Sequence, residues 1–241
     1  MTLKVKHVWN VRWEEKDNVP WVSRLRLRPM KEFIPSWYKN LPRETNGSAF
    51  TLKMCPSTTN FMNNGFVVTN PVDIFVQRVS ESEVTLNVDK FLTVHDISQF
   101  GEEYPFEDGF VKASFKFESF WSLSLSREAT LLFMPCWWSP DINLIRAYHG
   151  MFNIPKERSP ASYNINTKLR LPPVGGSYTI KAETPIAHLF FVDVLDTTIE
   201  SDLDDFTETE SRVEHELRTS AMFSKDYFKF LKSFLLGEKN D

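Results

Sequence analysis

The stretch that decides the fold is TLKMCPSTTNFMNNGFVVTNPVDIFVQR, residues 51–78. Its first half is polar and contains Cys55-Pro56, after which Ser, Thr and Asn residues favour a turn or a helix cap. Its second half has two apolar, β-branched runs, residues 66–68 and 72–76, which are typical of buried strands. The Asn-Asn-Gly sequence before the first run indicates a tight turn. We therefore interpret the stretch as a short polar loop that leads into a β core.

Strand-like patterns continue along most of the chain. Apolar and polar residues alternate over residues 3–13, 110–121 and 165–171, as they do in half-buried strands. Residues 186–195 form a longer apolar run of the kind found in fully buried strands. We find no internal repeat and no linker in this part of the sequence. Residues 1–200 are therefore predicted to form one mainly β body: a β-sandwich, a jelly roll or a β-clip-like barrel.

The pattern becomes helical after residue 200. Thr207 is followed three residues later by Glu210, which is the spacing of a capping box. Further on, apolar residues recur at helical spacing and would form a single stripe, made of Tyr227, Phe230, Leu231, Phe234 and Leu235. We predict an amphipathic helical C-terminal tail over residues 201–241, packed on the body or on a partner.

Composition and charge argue against several functions. The 21 Phe and seven Trp residues supply aromatic area for strands and flat contact surfaces. The formal net charge of −4 is opposite to the basic surplus of a general nucleic-acid binder, so we do not expect nucleic acid as a partner. The first residues lack the apolar core of a signal peptide, and no apolar run approaches the roughly 18 residues of a membrane span. We therefore expect a protein that is made and used, or assembled, in the cytoplasm and has no membrane partner.

No stretch reaches the specificity of a known catalytic or cofactor-binding motif. Nucleotide-binding glycine patterns and the GxSxG nucleophile motif are missing from the sequence. Cys55 and Cys136 each adjoin a proline, which can hold a thiol rigidly, but a rigid thiol is not an activated one, since activation needs a nearby cation or a helix N-terminus. A single cysteine pair could be a disulfide in an oxidised protein, but the expected compartment favours free thiols. We expect structural cysteines, no cofactor and no catalytic set.

The five histidines show no close metal-ligand spacing. A metal or acid–base site would have to be assembled from distant positions. The candidates for such a site are His95, His149 and His188.

Aromatic clusters are the most distinctive candidates for function. Trp37-Tyr38 lies in a segment flanked by prolines, and Trp137-Trp138 lies in a proline-bounded loop. Two adjacent tryptophans do not easily share one core, so one is expected to cap the core and the other to face a partner. The tail stripe offers further candidates, Tyr227, Phe230 and Phe234. The sequence leaves open whether these aromatic residues serve an interface or only the core.

Three segments resemble a family of proteins from large contractile-tailed bacteriophages of aquatic bacteria. They are IPSWYKNLPRE (residues 34–44), TLKMCPSTTNFMNNGFVV (residues 51–68) and NPVDIFV (residues 70–76). The likeness lies in a proline-flanked WYK element, a K-x-C-P step, a Gly-aromatic turn and a following strand with Asp. It covers about a third of the chain and implies a phage origin rather than a mechanism.

A fainter likeness concerns the late strand IKAETPIAHLFFV, which begins at Ile180 and is similar to the closing strand of the β-clip fold of deoxyuridine triphosphatases. His188 stands where that family has Gln. The uridine-binding segment of the family, with its catalytic Asp, would correspond to HGMFNIPKERSP from His149, which has no Asp. The resemblance therefore implies a related fold without nucleotide hydrolysis.

Two hypotheses follow. The first is an oligomeric structural or accessory interaction protein of a phage virion, found in the virion or in the host cytoplasm during infection. It would bind itself or other phage proteins through the aromatic loops and the C-terminal helix. The alternative is a small-molecule binder or metal-dependent enzyme with a pocket in a β-barrel, in which the three candidate histidines would act.

Overall fold

The computed structural model of the chain describes residues 3–9, 27–45, 47, 49–87, 92–95, 107–117, 121–154, 156–158, 164–192, 194 and 197–202. The described part is mainly β, as the sequence predicts. Its two α-helices are short: α1 (Ser36–Asn40) and α2 (Pro56–Asn63). Short 3-10 helices lie at Met30–Phe33, Leu52–Met54 and Pro140–Asn143. No helix in these ranges has the length and apolarity that a membrane span requires.

The described strands, in chain order, are β1 (Leu3–Trp9), β2 (Arg28–Pro29), β3 (Phe66–Thr69), β4 (Ile74–Arg78), β5 (Val84–Asn87), β6 (Leu92–His95), β7 (Ser114–Phe117), β8 (Trp121–Leu125), β9 (Ala129–Pro135), β10 (Ile145–Ala147), β11 (Gly150–Ile154), β12 (Glu157–Arg158), β13 (Ile165–Leu169), β14 (Ser177–Ile180), β15 (Pro185–Val192) and β16 (Thr197–Asp202).

These strands form four sheets. Three are antiparallel, with strand orders β10-β13-β7-β6, β11-β9-β15-β3-β2 and β14-β4-β5. The fourth has the order β12-β8-β1-β16, and there β1 pairs antiparallel with β8 but parallel with β16. One cluster of buried apolar side chains receives residues from all four sheets, for example Leu123, Phe115, Leu189 and Ile74.

The five-stranded sheet, β11-β9-β15-β3-β2, positions the candidate site. Alternate residues of its strands point to opposite faces. Leu131 of β9, Leu189 of β15 and Phe66 of β3 belong to the main core, which defines the inner face. Val67 of β3 belongs to a second buried cluster, so this cluster lies on the opposite, outer face. Residues 30–64, which we call the helical cap, supply most of the rest of that cluster.

The sequence-based prediction of a polar loop after Cys55 is wrong, because residues 56–63 form helix α2. Pro56 occupies the first helical turn, where a missing amide hydrogen breaks no helical bond. The helix buries Met62 fully and Phe61 partly, while its other side chains, apart from that of Pro56, are polar. A helix of two turns with one buried edge is too short for its period to appear in the sequence.

The predicted boundary between the body and the tail lies close to Asp202, the last residue of β16. Strand β16 runs to that residue, two positions into the range assigned to the tail. Residues 203–241, which include the predicted helix, lie outside the described residues.

Candidate functional site

The second buried cluster joins the helical cap to the outer face of the five-stranded sheet. Its buried members are Met30, Tyr38, Met62, Val67, Cys136 and Trp138, with Phe33, Ile34 and Phe61 packed against them. The cap is also fixed internally, since the hydroxyl groups of Tyr38 in α1 and Thr59 in α2 lie 3.1 Å apart. The cap is therefore a packed unit with its own small core.

His188 of β15 lies at the base of this cluster and is fully buried. Its Nε2–H donates to the carbonyl oxygen of Asn64 at 2.9 Å, and this requires the proton to sit on Nε2. The other nitrogen, Nδ1, accepts a hydrogen bond from the Trp138 indole N–H at 3.4 Å. The ring also lies against Phe190 and Phe61, with centroid separations of 3.9 and 4.7 Å. A neutral imidazole thus links the sheet, the end of α2 and the Trp138 turn.

Burial lowers the pKa of His188 to about 4, against an ordinary value of 6.5, while the bond to Asn64 acts in the opposite direction. The cause is desolvation, since the imidazolium form would lose its water in this apolar setting. Protonation would also turn Nδ1 into a donor facing the Trp138 indole donor. The arrangement therefore requires a neutral ring.

The three histidines predicted as a dispersed site have different environments. His188 has both ring nitrogens in hydrogen bonds within the protein, so it has no lone pair to offer a metal. His149 is exposed between β10 and β11. His95 ends β6, and its side chain lies outside the described part. The described residues contain no group of three or more His, Cys, Asp or Glu side chains that could hold a metal ion.

Each predicted aromatic pair is divided between the core and the surface. Tyr38 and Trp138 are buried, with exposed fractions of 5% and 4%. Trp37 and Trp137 are exposed to 44% and 51%. Among these four candidates, only Trp37 and Trp137 are therefore accessible to a partner. The tail candidates, Tyr227, Phe230 and Phe234, lie outside the described residues.

Both exposed tryptophans are held in place on the same part of the molecule. The indole N–H of Trp37 donates to the carbonyl oxygen of Trp138 at 3.2 Å, which ties α1 to the turn that carries Trp137. The ring of Trp137 stacks on Phe61 of α2, with centroids 5.1 Å apart. Phe61 in turn contacts His188. The two exposed rings are thus fixed by contacts that lead back to the buried histidine.

Three more large apolar side chains of the cap are exposed, although none of them was predicted as a site residue: Phe50, Leu52 and Met54. Backbone bonds hold their segment against the preceding loop, since the amide of Thr51 donates to the carbonyl of Arg43 at 3.0 Å. In the sequence they alternate with polar residues, a pattern that is typical of a half-buried strand. The 3-10 turn at Leu52–Met54 leaves them at the surface instead.

The sequence predicts a purely structural Cys55, but its surroundings in the structure are those of a more acidic thiol. It is the N-cap residue of α2 and so has a helix N-terminus beside it. Its Sγ lies 3.0 Å from the hydroxyl of Ser57. Hydrogen bonds from Ser57 and Thr58 lower the pKa of the Cys55 thiol to about 7. Cys136 is the opposite case, since burial raises the pKa of its thiol. Both cysteines are free.

No protein-family model matches the chain, and no curated protein matches it. The geometry of the described residues therefore has to carry the functional argument.

Proposed function

We propose that the chain is a structural or accessory interaction protein of a tailed-phage particle, which binds neighbouring subunits through exposed aromatic side chains of the helical cap and of the adjacent turn that carries Trp137 and Trp138. Its partners would be further copies of itself or other phage proteins, in the virion or in the host cytoplasm during infection. The phage context comes from the sequence resemblance of residues 34–76.

One observation carries the proposal: Trp37 and Trp137 are about half exposed but are fixed by a hydrogen bond and a stacking contact. Exposed tryptophan is enriched among the anchor residues of protein interfaces. An anchor that is already fixed loses little conformational entropy on binding, so more of its contact energy appears as affinity. Phe50, Leu52 and Met54 extend the apolar character of the same cap.

The expected size of the effect follows from general interface energetics. A stable interface of this kind would bury about 1,200–2,000 Å² in total. Truncation of an anchor tryptophan costs about 2 kcal/mol or more, which is roughly a 30-fold loss of affinity. The two tryptophans should therefore dominate binding over other exposed apolar residues.

The experiment is photo-cross-linking with p-benzoyl-L-phenylalanine placed at position 137 of the full chain during infection. We expect a covalent adduct with a particle protein, identified by mass spectrometry of purified virions. Val174 is the matched control, because it is 50% exposed and apolar but lies in the loop before β14, outside both the cap and the turn that carries Trp137. Virions that lack the chain, or equal adducts from positions 137 and 174, would refute the proposal.

The finer architecture is part of the proposal as well. We infer that the four sheets form a β-sandwich, a jelly roll or a β-clip-like barrel, because residues of all four enter one core. Such a body is a rigid support for the cap.

A further inference from the structure

The outer face of the five-stranded sheet is only half covered by the cap. The strand register places Met151, Leu132 and Phe190 side by side on β11, β9 and β15. The next row on the same face is Asn153, Thr130 and Val192. We call these six residues the open face. The described residues leave two of its apolar side chains largely uncovered, since Met151 is 65% exposed and Val192 39%.

The open face continues the surface that the cap already occupies. Phe190 contacts Phe61 of α2 at a centroid distance of 5.0 Å and His188 at 3.9 Å. An apolar path therefore leads from the helix-covered half of the sheet to the uncovered half. A sheet face with apolar side chains is normally covered by a second layer of secondary structure. On this face the part that is covered is covered by the helical cap. A further helix beside α2 would complete it.

We propose that the C-terminal segment of the same chain, residues 224–236, docks on the open face as an amphipathic helix. Its stripe from Tyr227 to Leu235 would be about 12 Å long in a helix. Three neighbouring strands span about 10 Å across a sheet, so one stripe matches one row of the open face. The apolar row, Met151 to Phe190, is the part that the stripe would cover.

Chain length permits this placement. Strand β16 ends at Asp202, and 21 residues separate it from Ser224. Such a segment can span up to about 70 Å when extended, which exceeds the size of a body of this length. The two polar residues of the open face do not oppose this docking. The Thr130 hydroxyl donates to Asn153 Oδ1 at 2.9 Å, so that hydroxyl needs no hydrogen-bond acceptor from the docked helix. This inference stands independently of the partner proposed for the cap.

Met151 provides the test, because oxidation to the sulfoxide by hydrogen peroxide reports its accessibility in the full chain. We expect Met151 to be oxidised severalfold more slowly than in the unfolded chain. The variant Phe230→Ser/Phe234→Ser should restore fast oxidation of Met151. The matched control, Lys229→Ser/Lys232→Ser, alters neighbouring positions outside the stripe and should leave Met151 protected.

The buried Met30 and Met62 monitor folding in each variant, since both have no exposed surface and must stay protected. Fast oxidation of Met151 in the unaltered chain would overturn the proposal, and so would protection that survives the stripe substitutions. Protection that disappears on dilution would assign the segment to a second copy and would also overturn it. None of these outcomes depends on Trp37 or Trp137, so they are separate from the cross-linking result.

Discussion

Acid sensitivity centred on His188 is the most specific energetic consequence of this structure. The folded protein holds the ring neutral, with a pKa of about 4, whereas an unfolded chain has the ordinary value of 6.5. Between these two pH values the unfolded state therefore binds the extra proton. The free energy of unfolding must fall as the pH drops from 6.5 towards 4, and it is unaffected by this group above about pH 7.

The magnitude follows from the two pKa values. At about 1.4 kcal/mol per pKa unit, the difference between 6.5 and about 4 corresponds to a loss of about 3 kcal/mol. This is a large fraction of the roughly 5–15 kcal/mol that stabilises a typical domain. We expect the packing of the cap on the sheet to weaken first, because His188 joins the sheet to Asn64 at the end of the cap and to Trp138 beside it.

The assay is urea unfolding of the wild type and of His188→Gln at pH 7.5, 6.5, 5.5 and 4.5. Gln has both a donor and an acceptor but does not titrate. We expect the variant to be less stable at pH 7.5, by about 1–3 kcal/mol, because the ring contacts with Phe190 and Phe61 are lost. Its stability should then fall less steeply with acid than that of the wild type, by about 2.5 kcal/mol between pH 7.5 and pH 4.5.

The same substitution at the exposed His149 serves as the control, since it removes a histidine without altering the contacts of the His188 ring. Parallel pH profiles for the wild type and His188→Gln would refute the reasoning, because they would mean that His188 titrates equally in both states. A wild type that becomes more stable with acid over this range would refute it as well.

Two other predictions concern single residues of the same region. Gly65 has φ +82°, and a Cβ there would lie 2.3 Å from the carbonyl oxygen of Leu189. Gly65→Ala should therefore lower the free energy of unfolding by more than the about 1–2 kcal/mol that the left-handed conformation costs alanine. Gly175→Ala, at φ +76° with open space around it, should show only that conformational cost in urea unfolding, and equal losses at both glycines would contradict the geometry. The thiol of Cys55 should react with iodoacetamide with a rate midpoint near pH 7, whereas Cys136 should stay unmodified in the folded protein. A Cys55 midpoint near pH 9 would contradict the lowered pKa of that thiol, and fast labelling of Cys136 would contradict its burial.

The strands were predictable where side-chain pattern alone decides the structure. Strands β3 and β15 appear in the sequence as apolar runs, and β13 appears as an alternation of apolar and polar residues. Burial of a strand on two faces or on one face produces these patterns directly. The parallel pairing of β1 with β16 leaves no such record, since it joins positions almost 200 residues apart.

The site was predictable only in part. The division of Trp137 and Trp138 between surface and core follows from their adjacency. The role of His188 does not, because its partners Trp138 and Asn64 are 50 and 124 positions away in the chain. A buried histidine with both nitrogens bonded to such partners looks in the sequence like any isolated histidine. The activated setting of Cys55 was missed for a related reason, since helix α2 was not recognised.

The claim that Trp37 and Trp137 anchor a subunit interface is tested most directly by incorporation into particles. The measurement is the copy number of the full chain in purified virions, by quantitative mass spectrometry, for the wild type, Trp37→Ala/Trp137→Ala and the control Val174→Ala. We predict wild-type copy number for the control and loss of the double variant from the particle, with its soluble form still folded by circular dichroism. A double variant that enters particles at the wild-type level would contradict the account.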